Sequence, residues 1–173
     1  MVERGTAERG MVERGMVERG TADSGNDHRI VVGVDGSEPS KHALRWAVRQ
    51  AELTGAWVDV INAWEVPPLA GVAPILEIGA ESTALARAGE QTLAESVAEV
   101  AGGLPPAPIR TRVVHGPPAV ALLQAAEGAD LLVLGCRGHG GFIGALLGSV
   151  SQYCVQHADC PVVVTRGTHC TDR

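Results

Sequence analysis

From His28 onward the chain alternates between short β-branched runs and amphipathic stretches of helical period. Ile30-Val31-Val32-Gly33-Val34 predicts a buried strand ended by Asp35-Gly36-Ser37, and a helix begins at Glu38-Pro39, where proline suits the first turn. Leu44, Ala47, Val48 and Ala51 lie at i, i+3, i+4 and i+7, one apolar face before Gly55 ends it. Trp57 to Ala63 predicts a second strand, followed by a Pro- and Gly-rich loop from Pro67 to about Gly79. A second long helix runs to about Ala101 with Leu93, Val97, Val100 and Ala101 inward, until Gly102-Gly103 and Pro105-Pro106 stop it. Ile109 to His115 predicts a third strand with Arg110 and Arg112 at alternate positions, as a sheet edge allows. Gly116-Pro117-Pro118 opens a short helix with Val120, Leu123 and Ala126 inward. Leu131 to Leu134 predicts the fourth strand, and Val162 to Thr165, after Pro161, the fifth. Strands separated by helices imply an α/β fold with a mostly parallel sheet covered on both faces.

Residues 1–27 follow another rule. MVERG, TAERG and their variants repeat with period five, which matches neither helix nor strand, and each glycine weakens a helix. The expectation is a solvated, disordered tail, with a docking segment as the alternative. It has no apolar core of a secretory signal and too many acids for a transit peptide. The domain expected after it spans residues 28–167, with a short C-terminal tail from 168 to 173.

Charge narrows the function classes. The chain carries 20 acids against 14 Lys plus Arg; six of those acids and five of the arginines fall within residues 1–29, which leaves the rest at −5. With three Trp, one Tyr and one Phe in the whole chain, neither a broad basic footprint nor a stacking platform for nucleic acid is expected. No apolar run approaches the ~20 residues of a membrane span, and a cytoplasmic protein is expected. Cys136, Cys154, Cys160 and Cys170 show no metal spacing and read as reduced thiols. Cys136, beside a glycine loop, reads as a reactive thiol or simply as a small residue that fits.

The candidate chemistry lies in LLVLGCRGHGGFIGALLGSV, residues 131–150. An apolar strand stops at Gly135; glycines follow at 138, 140, 141, 144 and 148, and a helix opens near Ser149. Such a loop lets a ligand approach the backbone closely, and the helix start adds unpaired N–H groups and a partial positive charge. A phosphate fits there without a lysine. If the first and fourth strands are neighbours, Asp35 lines the same crevice, where strand order reverses and ligands bind. Its carboxylate is suited to a ribose hydroxyl or to Mg²⁺ bridging phosphates, or else to capping the next helix. Phosphates would rest on the loop from Gly138 and near Gly148, Ser149 and Val150, with the strand end at Ala63 flanking a base. No lysine follows a glycine here, since the one lysine of the chain is Lys41, so a Walker loop is excluded. A dinucleotide fingerprint fails as well: from Gly138 and Gly140 its third glycine would fall on Ile143.

Gly135, two residues, Gly138, nine residues, then Gly148-Ser149 resembles the G-x₂-G-x₉-G-[ST] pattern of the ATP-binding branch of the universal stress proteins. VVGVDGSEPSKHAL (31–44) and HADCPVVVTR (157–166) look like that family's first strand and turn and its closing strand. The resemblance covers about residues 28–167. It implies a Rossmann-like open sheet of order 3-2-1-4-5, ATP as ligand, and homodimers through residues 161–166. It also implies Asp35 near ribose and metal, a backbone contact at Gly33, adenine read by the backbone of Ala63, and ribose and phosphate contacts at Gly135, Gly138, Gly148, Ser149 and Val150. Cys136, Arg137, His139, Gly140 and Gly141 share the loop. His115, His157 and His169 have no ligand-like spacing and receive no role.

Three functions follow: a regulatory ATP-binding module of stress adaptation read by a protein partner, a weak ATPase or phosphate-transferring enzyme, or a ligand-free interaction protein. The first is preferred, because beyond Asp35, Arg137 and His139 the loop offers few groups for chemistry.

Overall fold

A computed structural model describes residues 28–65, 75–102, 107–137 and 147–166 of the chain. The repeat tail, on which the expected disorder of residues 1–27 falls, the stretch 138–146 and the C-terminal tail from 168 lie outside them.

Five strands form one parallel sheet in the order β3-β2-β1-β4-β5. They are β1 (Arg29–Gly33), β2 (Trp57–Trp64), β3 (Ile109–His115), β4 (Leu131–Gly135) and β5 (Val162–Thr165). The α/β fold is as the sequence pattern predicts, and the strand order is the one that the resemblance implies. The helices are α1 (Glu38–Thr54), α2 (Ile75–Ala101), α3 (Pro118–Ala126) and α4 (Ser149–His157).

The side-chain period of two divides each strand between two cores. Ile30, Val32, Val58, Val60 and Val133 face α1 and α2, packing with Leu44, Ala47, Val48, Leu93 and Val100. Val31, Ile61, Leu132 and Leu134 face α3 and α4, packing with Leu122, Ala125 and Cys154. Each fully buried Val or Leu contributes about 1.5–3 kcal/mol, and the sheet's central strands are buried on both sides for this reason.

Helix α1 begins where its sequence says it should. Ser37 accepts a hydrogen bond from the Ser40 N–H, Pro39 sits in the first turn, and Gly55 ends the helix at φ 74°. Leu44, Ala47, Val48 and Ala51 are all buried. Two expectations fail. Helix α2 starts at Ile75, inside the loop expected to reach Gly79. In α3 the buried face is Ala121, Leu122, Ala125 and Ala126, whereas Val120 is exposed. The phase is set by Gly33, above which the two Leu122 methyls lie 3.1 Å from where a Cβ would stand; that space admits Leu122 and turns Val120 outward.

Candidate functional site

The strand ends converge by register. Ile30, Val31 and Val32 pair with Leu131, Leu132 and Val133, and Gly33 pairs with Ile61. Continued two residues, the same register sets Asp35 level with Ala63 on one side and Cys136 on the other. Gly33, Asp35, Ala63, Gly135 and Cys136 therefore meet at one end of the sheet, at the switch between β1 and β4.

The end of β1 is fixed from β2. The Val34 N–H donates to the Ile61 carbonyl at 2.8 Å, and the buried Asn62 amide donates to the Val34 carbonyl at 2.8 Å. Beyond it Asp35 is exposed, its Oδ1 accepting from the Ser37 N–H at 3.0 Å and the Ser37 hydroxyl at 2.6 Å. Asp35 orients the turn; the helix cap is Ser37. Ala63 is half-buried, and next to it Trp64 lies with its ring 4.5 Å from that of His115.

At the end of β4, Gly135 lies against the first turn of α1. A Cβ there would stand 2.7 Å from the Pro39 carbonyl carbon and 2.9 Å from the Ser40 nitrogen, distances that side chains do not tolerate against backbone. Its φ is not left-handed, so packing against α1 demands this glycine whether or not a ligand is near.

Cys136 departs from the reading of four reduced thiols: it is fully buried and disulfide-bonded, while Cys154 and Cys160 are free. Its side chain turns into the protein, so it presents no reactive thiol to the loop. Its backbone is a clamp. The N–H donates to the Thr165 carbonyl at 2.9 Å, and the carbonyl accepts from the Gly148 N–H at 2.7 Å and the Ser151 hydroxyl at 3.2 Å. The two ends of the glycine segment are thereby held together at the mouth of the sheet. Arg137 follows; Gly138, His139, Gly140 and Gly141 lie outside the described residues.

Gly148 is extended (φ −72°, ψ 161°), and α4 starts from it with no side-chain cap. Gly148 spends its own N–H on Cys136. The amides of Ser149, Val150 and Ser151 open the helix and have no intrahelical acceptor. Ser149 is exposed, whereas Val150 packs against the core. Among the described residues no group of three His, Cys, Asp or Glu could hold a metal ion, so a cation held through Asp35 would need ligand oxygens too.

Asn62 and Ser151 were not singled out by sequence. A polar residue inside the apolar run of β2 is the signal for the first; a buried serine in a helix's first turn shows only in three dimensions.

The universal stress protein family model matches residues 27–166. The chain belongs to that family. A universal stress protein of Thermus aquaticus is 40% identical over 141 residues, covering 79% of this chain and 97% of the relative. One from Mycolicibacterium smegmatis is 35% identical over 141 residues, covering 79% of this chain, which spans about 45% of that relative's length. Among solved structures, the universal stress protein UspA from Lactobacillus plantarum aligns with a TM-score of 0.69 at 25% identity, covering 82% of this chain and 99% of that one. A universal stress protein crystallised in complex with cAMP aligns at 0.57 and 28% identity, covering 80% and 95%. No described helix is long and apolar enough to cross a membrane.

Proposed function

We propose that this universal stress protein is a cytoplasmic, ATP-binding regulatory module whose occupancy is read by a protein partner during stress adaptation or growth arrest. The observation that carries the reading is the contrast between two helix starts at the same end of the sheet. Ser37 closes the N-terminus of α1, whereas α4 has no side-chain cap and its first amides remain available to an anion. The Cys136 clamp holds that helix start beside the glycine loop. The ligand is ATP with Mg²⁺: phosphates at Ser149, Val150 and the loop from Gly135 to Gly141, Asp35 toward ribose and metal, Gly33 beside it, and the backbone of Ala63 toward adenine. The cAMP complex of a structural neighbour supports an adenine nucleotide as the class, and the long glycine segment favours several phosphates over one. Bound Mg²⁺ would neutralise phosphate charge; the chain's own part is to bind and orient.

Ser149→Pro is the decisive variant. Proline fits the first helical position, and Gly148 already has the extended backbone required before proline. The substitution removes one amide donor and the hydroxyl while leaving the fold. By calorimetry with Mg-ATP, Ser149→Pro should weaken binding at least about tenfold, the worth of one charge-assisted hydrogen bond, and Ser149→Ala should weaken it less. Tight binding untouched by Ser149→Pro would overturn the phosphate position. Failure of the wild type to bind Mg-ATP, ADP or cAMP would favour a ligand-free interaction protein, and turnover abolished by Asp35→Ala would favour an enzyme.

A further inference from the structure

A second cluster lies at the opposite end of β2 and β3, away from the crevice. Arg29, Trp57, Asp59, Arg110, Thr111 and Arg112 line an open cavity of about 860 Å³. The register Asp59↔Arg110 and Ile61↔Arg112 brings Asp59, Arg110 and Arg112 to the α3 side of the sheet, whereas Thr111, opposite Val60, borders the cavity from the strand edge. That face is closed over Ile61 by α3. Arg29 terminates the coverage, its guanidinium donating to the Ala125 carbonyl at 3.0 Å and the Glu127 carbonyl at 2.6 Å, at the helix's C-terminal end.

The cations here outnumber the acids. Asp59 is 1% exposed and accepts from Arg112 Nε at 3.0 Å and Nη2 at 2.6 Å, with Arg29 Nη1 at 3.5 Å. The buried carboxylate thus fixes the Arg112 guanidinium by one edge and leaves Nη1 on the other, in a side chain that is half exposed. Arg110 lies with Cζ 4.8 Å from the Trp57 ring centroid and has no carboxylate partner among the described residues. Arg29 also approaches that ring, at 5.8 Å. The acids near Arg29, Glu127 and Asp130, sit at its own end, so Arg110 and the free edge of Arg112 carry the uncompensated charge in an otherwise acidic domain.

We propose that this face is a binding site for the phosphate dianion of a small phosphate ester, separate from the nucleotide crevice. Two guanidiniums held in place, one by a buried carboxylate and one by an indole, present donors whose ordering entropy is already spent, and guanidinium geometry matches phosphate oxygens. The indole holds the Arg110 guanidinium against its ring, so what the site presents to a ligand is chiefly anion-binding donors.

The test uses the full chain at constant ionic strength and pH 7.5. Inorganic phosphate and glucose 6-phosphate are titrated while NMR follows the Trp57 indole N–H and the Nε–H groups of Arg110 and Arg112. Saturable shifts with both probes are expected, weakened at least tenfold by Arg110→Gln, partly restored by Arg110→Lys and unchanged by Ser149→Pro. Arg110 is exposed, so its variants should keep the wild-type unfolding midpoint. Non-saturating shifts equal to those from chloride would overturn the site, as would binding that survives Arg110→Gln. Binding of inorganic phosphate without the ester would reduce it to an ion contact and overturn the proposed ligand class.

Discussion

Glycines that share one sequence motif do different physical work. At Gly135 an added methyl would meet the backbone of Pro39 and Ser40 at 2.7–2.9 Å, and backbone cannot swing aside as a side chain end can. At Gly148 the nearest atom, the Arg137 Cα, is 3.5 Å away and φ is ordinary. Gly135→Ala should therefore cost about 1–3 kcal/mol in chemical denaturation, and Gly148→Ala under about 1 kcal/mol, the difference between these residues as helix caps. Equal costs would refute the assignment of Gly135 to α1 packing. The consequence for function is that loss of ligand in Gly135→Ala does not by itself locate a ligand. The spacing made both glycines legible; which one touches protein was not, because Pro39 is brought to Gly135 only by the crossing of α1 over β4. Asp59 was hidden for the same reason. It stands in an apolar run as an isolated acid, and its arginine partner is 53 residues away across a strand register that no local pattern encodes.

At the scale of elements, legibility followed how far each helix depends on its own sequence. Helix α1 carries its cap, its proline and its stop within the chain and behaves as read. Helix α3 is nine residues long and ruled by what it covers, so its apolar pattern misassigned Val120. Helix α4 was placed correctly at Ser149, yet the absence of a side-chain cap is a structural finding. Its inner face holds Cys154, fully buried, and burial pushes that thiol up to about 11 from 9.0. The native state thus keeps a proton that the unfolded chain releases. Stability linked to this group is complete below about pH 9 and falls as pH rises toward 11, with a slope of at most about 1.4 kcal/mol per pH unit. Burial raises Cys160 as well, in the same direction. Denaturation midpoints measured from pH 8 to 11 should drop less steeply in Cys154→Ala than in the wild type; parallel curves would refute the linkage.

For the whole molecule, the two edges of the sheet are not equivalent. The β3 edge is guarded by Arg110 and Arg112, which suit solvent or an anion and oppose pairing with a second copy. The β5 edge is Val162-Val163-Val164-Thr165, half-buried throughout and without a charge. We propose that the twofold dimer implied by the family resemblance uses this edge, β5 pairing with its copy so that both chains satisfy the same outward backbone groups. Val163 packs against the core shared with α1, so a charge there would disturb the monomer itself. Val164 belongs to neither core cluster and is the better probe. Val164→Lys sets two like charges close together across the axis and should convert a dimer into a folded monomer, halving the mass seen by light scattering while circular dichroism stays unchanged. A dimer mass that persists in Val164→Lys would remove the β5 edge as the interface, and a monomeric wild type would remove the dimer.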